Sequence, residues 1–307
     1  MKKNLKLYLT VLVFTLVIPT AVLAKPPNFE TINFPGALST SALGINNRGQ
    51  IVGSYYLGKR YGYLLDGDTF TTIEFPGAQS TEVYGINDRG QIVGIYIDNS
   101  WVFHGFLLDG DTFTTIDLPP IMLTALACGI NNRGQIVGSY SGDGGAHGYV
   151  LDGDKFTPID FPGASTLAFD INDRGQVVGD AWEDSSSQIP IAFLFDRGKF
   201  TTLAFPGARW IAPRGINNRG QIVGFCSADS TGSHGFVFDG DTFTTIEFPG
   251  ALSTSAWGIN DRGQIVGEYF DSNWDTHGFL ADKVRMAPPA SDPHLRATTT
   301  WARIKAK

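Results

Sequence analysis

The chain is poor in cysteine. Two residues, Cys128 and Cys226, serve 307 positions, too few for a domain stapled by disulfides. They fall in the third and fifth of the repeats described below, with a whole repeat between them. A bridge needs Cα atoms within about 7 Å, so two free, largely buried thiols are expected. Positive charge is scarce too. Residues 25–281 carry 14 Lys and Arg against 28 Asp and Glu. That acidic balance argues against nucleic acid or an anionic membrane as the main partner. Enzyme signatures are missing: there is no His-Glu-x-x-His, no Gly-x-Ser-x-Gly, no phosphate-binding glycine loop before a helix and no Cys-x-x-Cys. Their absence leaves open a site assembled from residues far apart in sequence.

Long apolar runs are also missing, apart from one near the start. Leu7–Ile18 is too short to span a membrane comfortably. It follows the basic Lys2, Lys3 and Lys6 and precedes the small-residue site Val22-Leu23-Ala24. Residues 1–24 therefore read as a secretory signal, and no cysteine follows for lipid attachment. The expected location is secreted or periplasmic, in a bacterium, with no integral membrane segment after cleavage. Residues 282–307 reverse the charge, with six basic and two acidic side chains. With Pro288, Pro289 and Pro293 and no strand pattern, the end from about 284 reads as a flexible basic tail.

What the chain has in abundance is repetition. The run Gly44-Ile-Asn-Asn-Arg-Gly-Gln-Ile-Val-Gly53 returns, nearly letter for letter, from Gly85, Gly129, Asp170, Gly215 and Gly258. The spacings are 41, 44, 41, 45 and 43 residues. A period of about 40–45 residues filled with short strands is that of a β-propeller blade. In the first unit the strand-like runs are Ser41–Ile45, Gln50–Tyr55, Gly62–Leu65 and Phe70–Phe75, rich in β-branched and aromatic residues. Asn46-Asn47-Arg48-Gly49 and Asp66-Gly67-Asp68 supply two tight hairpins. Pro76 then stops the fourth strand. The last unit has only three strands. Its fourth stands at the beginning, in Phe29–Ala37, which matches Phe70–Ala78. The expectation is an all-β, six-bladed propeller of four-stranded antiparallel blades over residues 25–283, closed by an N-terminal strand that completes the last blade.

These residues also resemble a known family. Gly85–Gly94, followed by His104-Gly105-Phe106-Leu107 and Phe113–Asp117, is similar to the HAF-type extracellular repeats of bacteria, named for a His-Ala-Phe tripeptide. Here the tripeptide is His-Gly-Phe or His-Gly-Tyr at 104, 147, 234 and 277, Tyr61-Gly62-Tyr63 in the first unit and Ile191-Ala192-Phe193 in the fourth. The resemblance implies a secreted bacterial protein and carries no catalytic residues with it.

Two repeated features invite a metal reading and fit a plainer one. Histidines at equivalent places in different blades cannot converge on one ion; they read as side chains bonded within their own blades. The Asp-Gly-Asp turns at 66–68, 109–111, 152–154 and 239–241 are short for calcium and suit hairpins. No metal and no cofactor is expected.

The copies differ most in the second connection and in the links between units. The second connections are Leu57–Tyr61, Asp98–Phe103, Gly142–Ala146, Glu183–Pro190, Ala228–Ser233 and Asp271–Thr276. The links to the third and fifth units, with Pro119-Pro120-Ile121-Met122 and Arg209–Arg214, depart furthest from the rest. In an up-and-down blade these lie at one end of the ring, and the repeating first and third turns lie at the other. Function lives on loops held by a rigid scaffold, so the variable end is the expected binding face. Trp101, Trp182, Trp210 and Trp274 lie in or beside it. Trp257, Arg214, Asp180 and Glu268 stand near the axis, along with Glu82, Tyr84 and Asp170. Exposed aromatics suit sugars, peptides or apolar ligands. The reading that follows is a monomeric binding or scaffold protein for an extracellular protein or glycan. Two alternatives stay open: a carbohydrate-active hydrolase or lyase using the funnel carboxylates Asp180 and Glu268, and a structural component of the envelope or matrix.

Overall fold

Alternating, β-branched runs separated by glycine turns can form only short antiparallel ribbons, and each ribbon must bury a face against another. The computed structural model, described for residues 27–282 except 117–123, 143, 184–188, 206, 228–231 and 241, solves this with six such sheets. Each has four antiparallel strands, and five of them follow simple chain order. Blade 1 is Ser39–Ile45, Ile51–Tyr56, Arg60–Asp66 and Thr69–Ile73. Blade 6 takes Ser253–Ile259, Ile265–Phe270 and Thr276–Asp282 from the C-terminal side, and its outer strand is Asn28–Ile32. That strand pairs antiparallel with Thr276–Asp282, from Asn28 opposite Asp282 to Ile32 opposite Gly278. The protein is a six-bladed β-propeller, closed as its sequence implies. The signal and tail readings concern segments outside the described residues.

The core is not central. Six hydrophobic clusters lie between successive blades. One, for example, joins Val52 and Ile73 of blade 1 to Val83, Ile86 and Phe106 of blade 2. The tripeptide that repeats in the sequence is the key to each interface. Its aromatic residue is Tyr63, Phe106, Tyr149, Phe193, Phe236 or Phe279, and all six are fully buried. Truncating one to alanine would cost about 3–5 kcal/mol. Its glycine sits against the next blade: a Cβ on Gly62 would come within 2.4 Å of Val83. Its histidine bonds within its own blade, as expected. His104 meets Asp98 at 3.2 Å, His147 meets Asp160 at 2.9 Å, His234 meets Glu247 at 3.1 Å and His277 meets Asn33 at 3.0 Å.

A β-bulge interrupts the first strand of every blade at the same place. In blade 1, Ala42 faces Gly53 and Gly44 faces Val52, so Leu43 is extra. The equivalent extra residues are Tyr84, Cys128, Phe169, Arg214 and Trp257. A bulge re-aims a side chain, and here all six line a cavity of about 90 Å³ on the axis. Both cysteines are free thiols, Cys226 buried and Cys128 partly so. Burial pushes Cys128 up to about 12 and Cys226 to about 11, so neither is a reactive thiolate.

Candidate functional site

The repeating end is a closed hydrogen-bond lattice. The first Asn of each turn is buried, and its carboxamide oxygen accepts from the backbone N–H groups two and four residues on. For Asn46 these are Arg48 and Gln50, at 3.0 Å each. Its Nδ2 donates to its own blade's Gln50 and to the backbone carbonyl of Asn87 in the next blade, at 2.8 and 3.1 Å. The pattern runs through Asn87, Asn131, Asn172 and Asn217 to Asn260, which donates to the carbonyl of Asn46 and closes the circle. In blades 1, 2 and 3 the glutamine in turn donates to the outer hairpin, as Gln50, Gln91 and Gln135 do to Asp66, Asp109 and Asp152, each at 2.9 Å.

The second turn residue makes a tighter ring. It alternates strictly around the six blades: Asn47, Asp88, Asn132, Asp173, Asn218, Asp261. Each backbone N–H donates to the Oδ1 of the next blade's side chain. Each Asn Nδ2 donates to both flanking Asp Oδ2 atoms, at 2.8–3.0 Å. Six carboxylates would repel one another, and six amides would set donors against donors. Alternation satisfies every group, and it closes only with an even number of blades. The signal was in the sequence as the Asn/Asp swap in an otherwise constant turn, and reasoning from turn chemistry alone misses it.

The axis holds the mixed layer. Asp170 stands where the other blades have glycine. There the spacing is tight: a Cβ on Gly44 would meet the Tyr84 carbonyl at 2.7 Å. Asp170 is accommodated because its two oxygens accept from Ile171 N–H and Ile216 N–H, both at 2.8 Å, bridging blades 4 and 5. Burial nevertheless raises it to about 7. Arg214 donates to Asp180 at 3.0 Å and lies over the Phe169 ring at 3.9 Å, with Phe225 and Trp257 at 5.0 and 5.5 Å. Burial raises Asp180, and Arg214 opposes the rise. Asp180 Oδ1, Arg214 Nε and Trp257 Nε1 are the three buried side-chain polar atoms without a hydrogen-bond partner among the described residues. Glu268, at the place equivalent to Asp180, accepts from Ser41 Oγ at 2.6 Å. Glu82 accepts from Tyr84 at 3.1 Å. The two funnel carboxylates are thus held by different partners in different blades.

The variable end has another character. Among the described residues eight large hydrophobic side chains are exposed: Leu38, Tyr56, Leu57, Trp101, Phe103, Ile189, Leu252 and Trp274. Every one lies in a second connection, at its edge, or in a link between blades. Trp101 and Trp274 are 72% and 65% exposed. Trp210 is half-buried, edge-on to Phe225 at 5.8 Å. Trp182 lines a groove of about 550 Å³ between blades 3 and 4, with His147, Asp160, Phe161, Ser165 and Glu183. The predicted residues therefore form three groups: exposed Trp101 and Trp274, rim Trp182 and Trp210, and axial Asp180, Arg214, Trp257 and Glu268. The bulge residues Leu43 and Phe169 escaped sequence reasoning, because the extra residue of a bulge reads only as a shift in alternation. The link at 119–122 lies outside the described residues. Among the described residues no cluster of three His, Cys, Asp or Glu is placed to hold a metal ion.

No family model matches the chain, and no curated protein is similar to it in sequence. Solved structures share its fold. A protein assigned as TolB from Agrobacterium tumefaciens aligns at TM-score 0.55 and 12% identity, covering 79% of this chain and 89% of its own. The propeller domain of the Trilobed protease from Pyrococcus furiosus aligns at TM-score 0.52 and 11% identity over 82% and 95% of the two chains. That domain has an open velcro topology, whereas here the N-terminal strand closes the last blade. The Aleuria aurantia lectin, solved with α-methyl-L-fucoside, aligns at TM-score 0.49 and 14% identity over 78% and 90%. At these identities the likeness is one of fold alone.

Proposed function

We propose that the protein is a secreted bacterial propeller of the HAF-repeat type that binds an extracellular protein or glycan through its variable end. One observation carries the reading. All eight large hydrophobics exposed among the described residues stand at that end, while the turn residues of the other end spend their hydrogen-bonding groups on one another. Exposed apolar groups at the rim of a rigid ring mark an interaction surface. The hydrolase reading needs two cooperating carboxylates. Asp180 is committed to Arg214 and Glu268 to Ser41, so that reading gains no support from the axis.

The test is a glycan array alongside capture from an extracellular matrix fraction, with wild type, Trp210→Ala and Trp182→Ala. A rim aromatic that anchors the ligand should weaken binding at least tenfold when truncated, roughly 1.4 kcal/mol. Ligands that bind all three proteins equally would place the site elsewhere.

A further inference from the structure

Among the described residues, three other than glycine adopt a left-handed backbone: Trp101 at φ 63°, Trp274 at φ 66° and Arg197 at φ 49°. Both tryptophans occupy the same position in the same kind of turn. In Asp98-Asn99-Ser100-Trp101, the aspartate carboxylate accepts from the N–H groups of Ser100 and Val102, at 2.8 and 2.9 Å. In Asp271-Ser272-Asn273-Trp274, it accepts from Asn273 and Asp275, at 2.8 and 3.0 Å. In each, the Trp N–H donates back to the Asp carbonyl, at 3.1 and 3.0 Å. The turn is thus locked, and its left-handed residue is set by the lock.

A bulky side chain is a poor choice for that residue. Left-handed backbone costs conformational energy for any side chain with a Cβ, and it is rare for large ones. The corresponding connections of blades 1 and 3 put glycine in left-handed backbone, at Gly58 (φ 78°) and Gly144 (φ 89°). Packing does not offset the cost. Among the described residues, Trp101 makes no side-chain hydrogen bond or ring contact, and the one ring contact of Trp274 is with Phe270, at 6.0 Å. Strain of this kind, without a folding gain, points to function.

We infer that Trp101 and Trp274 are paired stacking platforms for a neutral glycan, one on blade 2 and one on blade 6. This rests on the variable end being the binding face. The surroundings of each indole select the class. Short hydrogen-bonding side chains, Asn99 and Ser100 at one site and Ser272, Asn273 and Asp275 at the other, flank a bare aromatic face. That combination suits a sugar ring, with its apolar C–H face and hydroxyl rim. Neither turn carries Lys or Arg. The turn aspartates stay ionised, because the amide hydrogen bonds hold Asp98 and Asp271 below the usual carboxylate range. Fixed negative charge beside both platforms disfavours anionic polysaccharides and anionic bilayers. A repeating ligand long enough to reach both indoles would gain avidity.

The test uses Trp101→Gly, Trp274→Gly and the double variant in the full-length protein. The probes are cellohexaose, xylohexaose and mannohexaose, followed by titration calorimetry and thermal melting. Glycine removes the platform and also relieves the backbone. Each single variant should melt at or above the wild-type temperature yet bind at least tenfold more weakly, and the double variant should not bind. Three outcomes overturn the inference: no neutral hexasaccharide binds wild type; binding survives in the double variant; or the glycine variants melt several degrees lower, which would make the tryptophans structural. Indole-dependent binding to phosphatidylcholine vesicles without sugar binding would also overturn it, in favour of a lipid surface. The Trp210 and Trp182 test remains independent, since it can succeed with a protein ligand while this one fails.

Discussion

The two ends of the ring carry equal numbers of turns and use them in opposite ways. At one end, the side chain of Asn47 answers Asp88 and Asp261, and each of those answers the next turn. A residue there is fixed by what its neighbours in two other blades can donate or accept. At the other end, the indole of Trp101 has no partner among the described residues, and the connections differ in length and composition from blade to blade. The difference teaches where a repeat protein can change. A closed lattice spreads any single substitution over three blades, so copies stay alike. An open rim isolates each loop, so copies diverge, and any pressure on them comes from outside the fold.

The sharpest way to break the comparison is to disturb the lattice. Asn47→Asp replaces an amide that donates to Asp88 and Asp261 with a third carboxylate between them. Two hydrogen bonds are lost, and like charges face each other in a half-buried ring. A destabilisation of about 3 kcal/mol is expected in urea denaturation. Asp88→Asn should act in the same direction with a smaller effect, because it sets an amide donor against the donors of Asn47 and Asn132. Loss of less than about 0.5 kcal/mol for both would mean that solvent, not alternation, satisfies the ring.

Between the ends lies Asp170, and its titration supplies the next largest effect. Its folded pKa is raised to about 7 by burial, so the folded state holds this proton more tightly than the unfolded chain does. Its contribution to stability is therefore full below the ordinary carboxylate range and is lost as pH rises toward about 7, with little change above. Asp170→Asn cannot titrate. The stability of wild type relative to that variant should fall by about 2 kcal/mol between pH 5 and pH 7.5, measured by denaturation at each pH. A difference that rises with pH would show that the two amide hydrogen bonds outweigh burial.

How much of this could be read beforehand follows from which forces are local. The blades, their turns and the N-terminal closure were legible, because strand alternation, the Asn-Asn-Arg-Gly and Asp-Gly-Asp turns and Pro76 act within a few residues. The histidines were legible for the same reason. The alternation of Asn47 and Asp88 was present in the letters, but its meaning depends on partners 41 and 214 residues away. The bulges were not legible: an extra residue in a short strand looks like a shift in alternation. The left-handed backbone of Trp101 and Trp274 was hidden too, since the shorter corresponding connections of blades 1 and 3 use glycine for it and nothing in the letters marks the tryptophans as left-handed. Sequence reasoning named both indoles as exposed aromatics, and only the backbone shows that their placement is costly.

The smallest expected effect is none at all, and it tests the comparison most directly. Arg48, like Arg89, Arg133, Arg174, Arg219 and Arg262, recurs in every copy of the repeating turn. Its backbone N–H donates to Asn46, a bond that any residue but proline provides. Its side chain is exposed and forms no ion pair or hydrogen bond among the described residues, whereas the guanidiniums of Arg89, Arg133, Arg174 and Arg262 lie over the turn glycine of the next blade, at Gly134, Gly175, Gly220 and Gly49. If the repeating end is purely structural, Arg48→Ala should change stability by less than about 0.5 kcal/mol and leave ligand binding at the variable end untouched. The paired variant Arg48→Ala with Arg133→Ala should behave alike. A tenfold loss of binding in the arginine variants, with Trp210→Ala and Trp274→Ala silent, would reverse the assignment. The arginine circle would then be the binding surface, and the exposed aromatics at the opposite end would be without a role.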